Sequence, residues 1–194
     1  METHEAFKIN NIDDVQQSRT GNFSIPLQEW FFINIDASFL SYDELTGCGG
    51  ILRTCNGDWV AGFSCTTGAR NIEEGEAWAI YKALQWAWEK KIMNLWIRSD
   101  SKDVVDWINK EMNLLGPIGH IICACKAWIR KGWEVKITHA PREFNSVADK
   151  LAKDVIIRQC NWIEFNKPPN FILENLESYK RNSLCFLSSV RPRQ

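Results

Sequence analysis

The sequence lacks the signatures of several common protein classes. None of its seven cysteines forms a Cys-x-x-Cys pair, which argues against zinc-ribbon and thioredoxin-like sites. No apolar run approaches the ~20 residues that a membrane-spanning helix needs, and residues 1–20 contain no hydrophobic stretch typical of a secretory signal. Because the cysteines are odd in number and scattered, we expect a reduced, intracellular setting, in the nucleus or the cytoplasm.

The chain also lacks a basic excess. Its formal net charge is −1 and its pI is about 6.3, so no overall positive field attracts a polyanion. A bound metal ion could still supply positive charge locally. With 194 residues, 45% of them hydrophobic, the chain is long enough for one packed domain. We expect a flexible N-terminal segment over 1–25, a domain over 26–160 and an extended C-terminal tail over 161–194.

Hydrophobic periodicity predicts an α/β protein with strands first. The run FFINID alternates with period two, and CGGILRTC and WVAGFSC follow it as two more strands, joined through Asn56-Gly57 as a two-residue hairpin. After residue 70, helices alternate with strands, which predicts crossovers and parallel pairing. The later predicted elements are a helix at about 74–90, the strand NLWIRS, helices at about 102–111 and from 118, the strand WEVKIT and a helix from about 145.

Four carboxylates occupy informative places in this pattern. Asp36 and Asp100 close apolar strands, where an acid is unusual as core, and Glu76 and Asp149 lie in the first turns of predicted helices. Helical spacing places Glu76 on the packed side of its helix. Taken singly, each acid is typical of a solvated strand end or of a helix N-terminus. If the four converge, they offer the hard oxygen ligands that Mg²⁺ prefers.

The order of elements and motifs resembles the type 1 ribonuclease H fold, and more narrowly the plant reverse-transcriptase-like domains related to retroelements. The likeness covers about residues 30–157. It rests on IDAS with Asp36, GGILR, EAWAIYKALQWAW with Glu76, SDSKDVV with Asp100, and the span from His139 to Asp149 within HAPREFNSVADKLAK.

This resemblance implies a mixed five-stranded sheet of order 3-2-1-4-5, with three antiparallel strands and then parallel ones, flanked by helices. It also implies a site for two Mg²⁺ or Mn²⁺ ions held by Asp36, Glu76, Asp100 and Asp149, with His139 beside it. The expected activity is endonucleolytic hydrolysis of the RNA strand of RNA–DNA hybrids by a monomer that has no membrane partner. Ala37 departs from the glycine usual in the cellular enzymes, and the basic protruding helix of some of them is absent.

Two other functions remain open from the sequence. The chain could be a domesticated, non-catalytic module that binds nucleic acid or protein, in keeping with its weak basicity. A DNA-cutting integrase or resolvase relative would share the sheet and the acids but fits the helical motifs less well.

Other conspicuous residues favour structural roles. Glu73, Glu74 and Asp103 are typical of solvated first-turn acids, and the tryptophans fall mostly at core spacing rather than on a base-stacking surface. Lys126, Arg130 and Lys131 could form a weak patch for a phosphate backbone.

Overall fold

The computed structural model describes residues 26–40 and 45–176. The calls on residues 1–25 and on the end of the C-terminal tail, 177–194, lie outside these ranges. The strands are β1 (Phe31–Leu40), β2 (Leu45–Arg53), β3 (Trp59–Thr67), β4 (Asn94–Ser99), β5 (Glu134–His139) and β6 (Trp162–Phe165). The α-helices are α1 (Ile72–Glu89), α2 (Lys102–Asn109), α3 (Gly116–Ile129) and α4 (Ser146–Arg158).

The strands form one mixed sheet of order β5-β4-β1-β2-β3-β6. β1, β2 and β3 pair antiparallel, and β1, β4 and β5 pair parallel. The predicted order 3-2-1-4-5 is therefore confirmed for five strands. The sheet has a sixth strand that the pattern did not predict, because β6 is only four residues long and pairs antiparallel with β3.

β1 is the central strand, and it is longer than its alternating segment. It runs to Leu40, so Asp36 lies inside the strand rather than at its end. Residues 32–38 are all buried, because helices cover both faces of the sheet at this strand. The pairing with β4 stops at Asn34 and Arg98, whereas the pairing with β2 continues to Leu40. Beyond Asn34, β1 and β4 therefore separate at one end of the sheet.

Two helices pack closely against this end of the sheet because a glycine lies at each contact. A Cβ atom added at Gly49 of β2 would lie 2.4 Å from the carbonyl oxygen of Ala148 in α4. At Gly75, in the first turn of α1, an added Cβ would lie 2.8 Å from Thr46 of β2. Neither distance is compatible with a side chain, so glycine permits this close packing of α1 and α4 against the strands.

Most predicted elements are confirmed within a few residues, and most of the tryptophans are buried in the core or packed against it. Trp86 and Trp133 are buried, and the rings of Trp88 and Trp133 pack edge to face at 5.4 Å. The two-residue hairpin is wrong: β2 and β3 are joined by residues 54–58, closed by a bond from the Thr54 N–H to the Asp58 carbonyl. Among the described residues, no helix is both long and apolar enough to cross a bilayer.

Candidate metal centre

Three of the four candidate acids converge where β1 and β4 separate. Asp36 lies on β1, Glu76 at the start of the second turn of α1 rather than in its first turn, and Asp100 directly after β4. One carboxylate oxygen from each lies within 4.8 Å of those from the other two. Asp36 and Glu76 are each only 6% exposed, and Asp100 is half-buried.

The parallel register accounts for the meeting of the two aspartates. Asn34 and Arg98 are the last paired residues of β1 and β4. Asp36 and Asp100 each follow two residues later, so they lie at the same height above the last pair. The N-terminal part of α1 then brings Glu76 over the gap between the strands.

Hydrogen bonds fix the orientation of Glu76. The backbone N–H of Ala37 donates to its Oε1 at 3.2 Å, and the hydroxyl of Ser99 donates to its Oε2 at 3.4 Å. The carboxylate is thus held between β1 and the end of β4. Ala37, the departure noted in the sequence, contributes its backbone to the site.

The crowding of these acids shifts their ionisation strongly. Burial, followed by the charges of Glu76, Asp100 and Asp149, raises the pKa of Asp36 to about 9. Burial and the charge of Asp100 raise the pKa of Glu76 to about 8, against the opposing hydrogen bond from Ala37. At neutral pH the metal-free site therefore retains protons, and a divalent cation would replace them.

The fourth acid, Asp149, lies apart from this group. It is in the first turn of α4, and its Oδ2 accepts a hydrogen bond from Lys153 at 2.7 Å. Its charge still raises the pKa of Asp36, so it lies near the cluster without sharing its tight geometry. The structure thus brings three of the four predicted ligands together and places the fourth at the side.

His139 ends β5, in register with Ser99 of β4, and its side chain is exposed. It lies on the strand next to the one that Asp100 follows. The described residues that line the cavity at the acid cluster include neither His139 nor Asp149.

The buried side-chain amide of Asn145, which the sequence did not predict as a site residue, connects the site to the sheet. Asn145, 1% exposed, donates from its Nδ2 to the carbonyl of Ile35 at 3.0 Å and to Oδ1 of Asp100 at 3.2 Å. Its Oδ1 accepts from Nδ2 of Asn34 at 2.8 Å, and Arg53 donates to Asn34 at 2.7 Å. In the sequence, the alternation of FFINID places Asn34 on the same face of the strand as Asp36. That pattern could have identified Asn34 as part of this hydrogen-bond network.

The cavity above the acids measures about 250 Å³. Its charged lining residues are five acids and one cation: Asp36, Glu73, Glu76, Asp100, Asp103 and Arg142. Glu74 does not line this cavity. The prediction that it is a solvated first-turn acid is wrong, because Glu74 is buried. Its carboxylate is closed over by Arg70, whose guanidinium donates at 2.9 Å and lowers the pKa of Glu74.

Two cations of the predicted basic patch, Lys126 and Arg130, line a second cavity of about 280 Å³, whereas Lys131 does not. The amine of Lys126 donates to the carbonyl of Lys110 at 2.7 Å, and the amine of Lys131 lies 3.3 Å from the centre of the Trp128 ring. Of the three cations in the predicted patch, Lys126 and Lys131 therefore already have contacts within the protein. Binding of a phosphate backbone at this patch stays a prediction.

Comparison with known proteins identifies the family. Residues 34–155 match the family model described as reverse transcriptase-like. The chain belongs to this family. A protein of Arabidopsis thaliana named "Putative ribonuclease H protein" is 30% identical over 169 residues, which is 87% of this chain and 26% of that protein. The chain therefore spans about a quarter of the length of this relative.

Three solved structures similar to this family member are named as ribonucleases H. Ribonuclease H1 of the archaeon Halobacterium salinarum has a TM-score of 0.61 at 22% identity, over 66% of this chain and 98% of that one. LC11-RNase H1, solved in complex with an RNA/DNA hybrid, has a TM-score of 0.59 at 21% identity, over 66% and 98%. The N-terminal ribonuclease H domain of a Mycobacterium tuberculosis protein has a TM-score of 0.60 at 19% identity, over 66% and 94%. At these identities the likeness establishes the ribonuclease H-like fold.

The ligand chemistry of the site suits a divalent cation. The cluster consists of carboxylate oxygens only, at a spacing that one ion could bridge. Two of the acids retain protons at neutral pH when no cation is present, which is the behaviour of ligands that need a positive charge to ionise.

Proposed function

We propose that the domain hydrolyses the RNA strand of RNA–DNA hybrids with Mg²⁺ or Mn²⁺. The observation that carries this proposal is the group of two buried acids, Asp36 and Glu76, and the half-buried Asp100, one oxygen of each lying within 4.8 Å of those of the others beside a cavity at this end of the sheet. The relative named as a ribonuclease H protein and the similar structure that contains an RNA/DNA hybrid give the substrate class.

Asp36, Glu76 and Asp100 would hold the metal, with Asp149 as the fourth ligand. Two ions, when bound, supply an activated water and neutralise charge on the attacking and leaving oxygens. Lys153 contacts only Oδ2 of Asp149, and this half-exposed contact within one helix would cost about 0.3–0.5 kcal/mol to break, so it would be a small barrier to metal binding.

The other residues of the site orient and protonate. Ala37 and Ser99 hold Glu76, and Asn145 holds Asp100 through its amide N–H. His139 would carry a proton to or from the reacting oxygens, because an imidazole can both accept and release a proton near neutral pH.

The test is cleavage of a labelled RNA–DNA hybrid by the wild type and by Asp36→Asn, with and without Mg²⁺. We expect Mg²⁺-dependent cleavage of the RNA strand by the wild type and none by the variant, which keeps the shape of the side chain and loses its charge. Asp154→Asn, on the same protein but paired with Arg158 at the far end of α4, is the matched control and should cleave as the wild type does. Cleavage by Asp36→Asn at the wild-type rate would remove Asp36 from the ligand set.

A non-catalytic binding module is the second candidate. The contact of Asp149 with Lys153, away from the cluster, favours it over a complete four-acid site. Such a module would bind the hybrid in the presence of Mg²⁺ and leave both strands intact over hours.

A further inference from the structure

One cation faces the five acids of the cavity. Arg142 lines it together with Asp36, Glu76 and Asp100. Its side chain is exposed. Within the described ranges, its guanidinium comes within 4 Å of no carboxylate, although five acids line the same cavity. Its N–H donors therefore remain available to a ligand.

The backbone holds Arg142 firmly at this place. It begins a short 3₁₀ helix (Arg142–Phe144), and its carbonyl accepts from the Asn145 N–H at 2.9 Å. The carbonyl of Phe144 accepts from the side chain of Asn34 at 3.0 Å, and Asn145 itself is bonded to β1 and to Asp100. The turn that carries Arg142 is thus fixed to the same two strands that carry the acids.

The charge of the cavity creates the need for such a residue. A nucleic-acid strand brings a phosphate toward five carboxylates, and each phosphate repels them. The metal ions offset this repulsion at the oxygens that they contact. A guanidinium offers a planar fork of N–H donors that fits two phosphate oxygens, and it stays charged at every accessible pH.

We propose that Arg142 binds a phosphate of the strand that is cut, opposite Asp36, Glu76 and Asp100. This inference rests on the proposed function for the strand it names, and it assigns the contact that positions that strand. Arg142 also acts as a partial counter-ion to the acids before a metal binds, so its loss has opposite effects on the two ligands. The phosphate is bound more weakly, and the divalent cation is bound as tightly or more tightly.

The experiment compares Arg142→Gln, Arg142→Lys and the wild type in three measurements. These are the Kd for an uncut RNA–DNA hybrid in Ca²⁺, the dependence of that Kd on salt, and the Kd of the free protein for Mg²⁺. For Arg142→Gln we expect hybrid binding to weaken about tenfold and the slope of log K against log salt to fall by roughly 0.7–0.9, the loss of one phosphate contact. The Mg²⁺ affinity should be unchanged or higher. Arg142→Lys should recover the salt slope and part of the affinity, since it keeps the charge and loses the fork.

The control is Arg158→Gln, which removes the same charge at the far end of α4, where Arg158 pairs with Asp154. It should leave the salt slope within error of the wild type. Wild-type hybrid affinity and an unaltered slope in Arg142→Gln would overturn the proposal, as would a wild type that binds no hybrid. A wild type that binds the hybrid without cutting it, while Arg142→Gln binds it weakly, would refute the nuclease activity and leave the phosphate contact standing.

Discussion

Asp36 and Glu76 are acids placed where a neutral side chain would be more stable. Both are buried on the central strand and its covering helix, and their carboxyl groups repel each other and Asp100. Asn145 and Ser99 supply hydrogen bonds to the group but no positive charge. At the scale of single residues, the site is thus built with a deficit of positive charge that a divalent cation would fill.

Asn145→Ala should lower both stability and turnover. The change removes the bonds to Ile35, Asp100 and Asn34 and leaves buried polar atoms without these partners, which should cost about 2–3 kcal/mol in the free energy of unfolding. Asn94→Ala, which loses one exposed bond to Glu29, should cost less than about 0.5 kcal/mol. Urea denaturation measures the free energy of unfolding of both variants. Equal losses in the two variants would mean that the buried amide does not anchor the site.

His139→Ala should be milder than the loss of a ligand acid. A proton-transferring side chain typically contributes ~10²–10⁴-fold, and water can partly replace it. His139 is exposed at the end of β5, so its removal should not disturb the fold. Single-turnover cleavage should slow while hybrid binding in Ca²⁺ stays constant. Unchanged turnover would make His139 an ordinary surface histidine.

At the scale of elements, the position of α4 depends on the bare backbone of β2. Gly49→Ala would place a methyl group 2.4 Å from the carbonyl oxygen of Ala148, so α4 must shift away from the sheet. We expect a loss of about 1–3 kcal/mol in unfolding free energy. Hybrid cleavage should fall as well, because Asp149 and Asn145 move with the helix.

Gly68→Ala is the matched control for this substitution. A Cβ atom at Gly68 meets nothing within 4 Å, so the variant should unfold within about 0.5 kcal/mol of the wild type. The comparison is made by urea denaturation of the three proteins side by side. Similar stability of the two variants would show that α4 does not rely on the close approach.

The elements also mark what the sequence could and could not predict. Alternation in FFINID predicted a strand and the face of Asp36, but not that β1 continues to Leu40, because that extension depends on pairing with β2. The acids were found from their positions at strand ends and helix starts. The departure of Asp149 toward Lys153 was not, since the choice between a local ion pair and a distant cluster is made by tertiary geometry.

At the scale of the whole molecule, the site links stability to pH. The folded protein keeps protons on Asp36 and Glu76 up to about pH 9 and 8, whereas the unfolded chain releases them near 3.8 and 4.5. Between these values the folded state binds more protons than the unfolded state. The free energy of unfolding of the metal-free protein therefore falls as pH rises, by up to about 1.4 kcal/mol per pH unit for each proton.

Thermal melting in EDTA from pH 5 to pH 8 measures this dependence. We expect the Tm to fall with pH in the wild type and to fall less steeply in Asp36→Asn, which has no proton to lose at that position. Mg²⁺ should restore the Tm most strongly at the upper end of the range, because it competes with fewer protons there and binds the folded state selectively. A Tm that rises with pH in EDTA would contradict the raised pKa values.

The short β6 strand affects whether the edge of the sheet can pair with strands of other chains. It occupies the outer hydrogen-bonding edge of β3 from Gly62 to Cys65, and the ring of Trp162 stacks on Phe63 at 5.1 Å. Its Glu164 accepts a hydrogen bond from Trp86 of α1 and pairs with Lys90, which directly follows α1. Removal of the chain from residue 161 onward would leave β3 as an open edge with an aromatic side chain uncovered, which is a template for pairing with other chains. Because β6 is only four residues long, the edge that it presents in place of β3 offers few backbone groups to another chain.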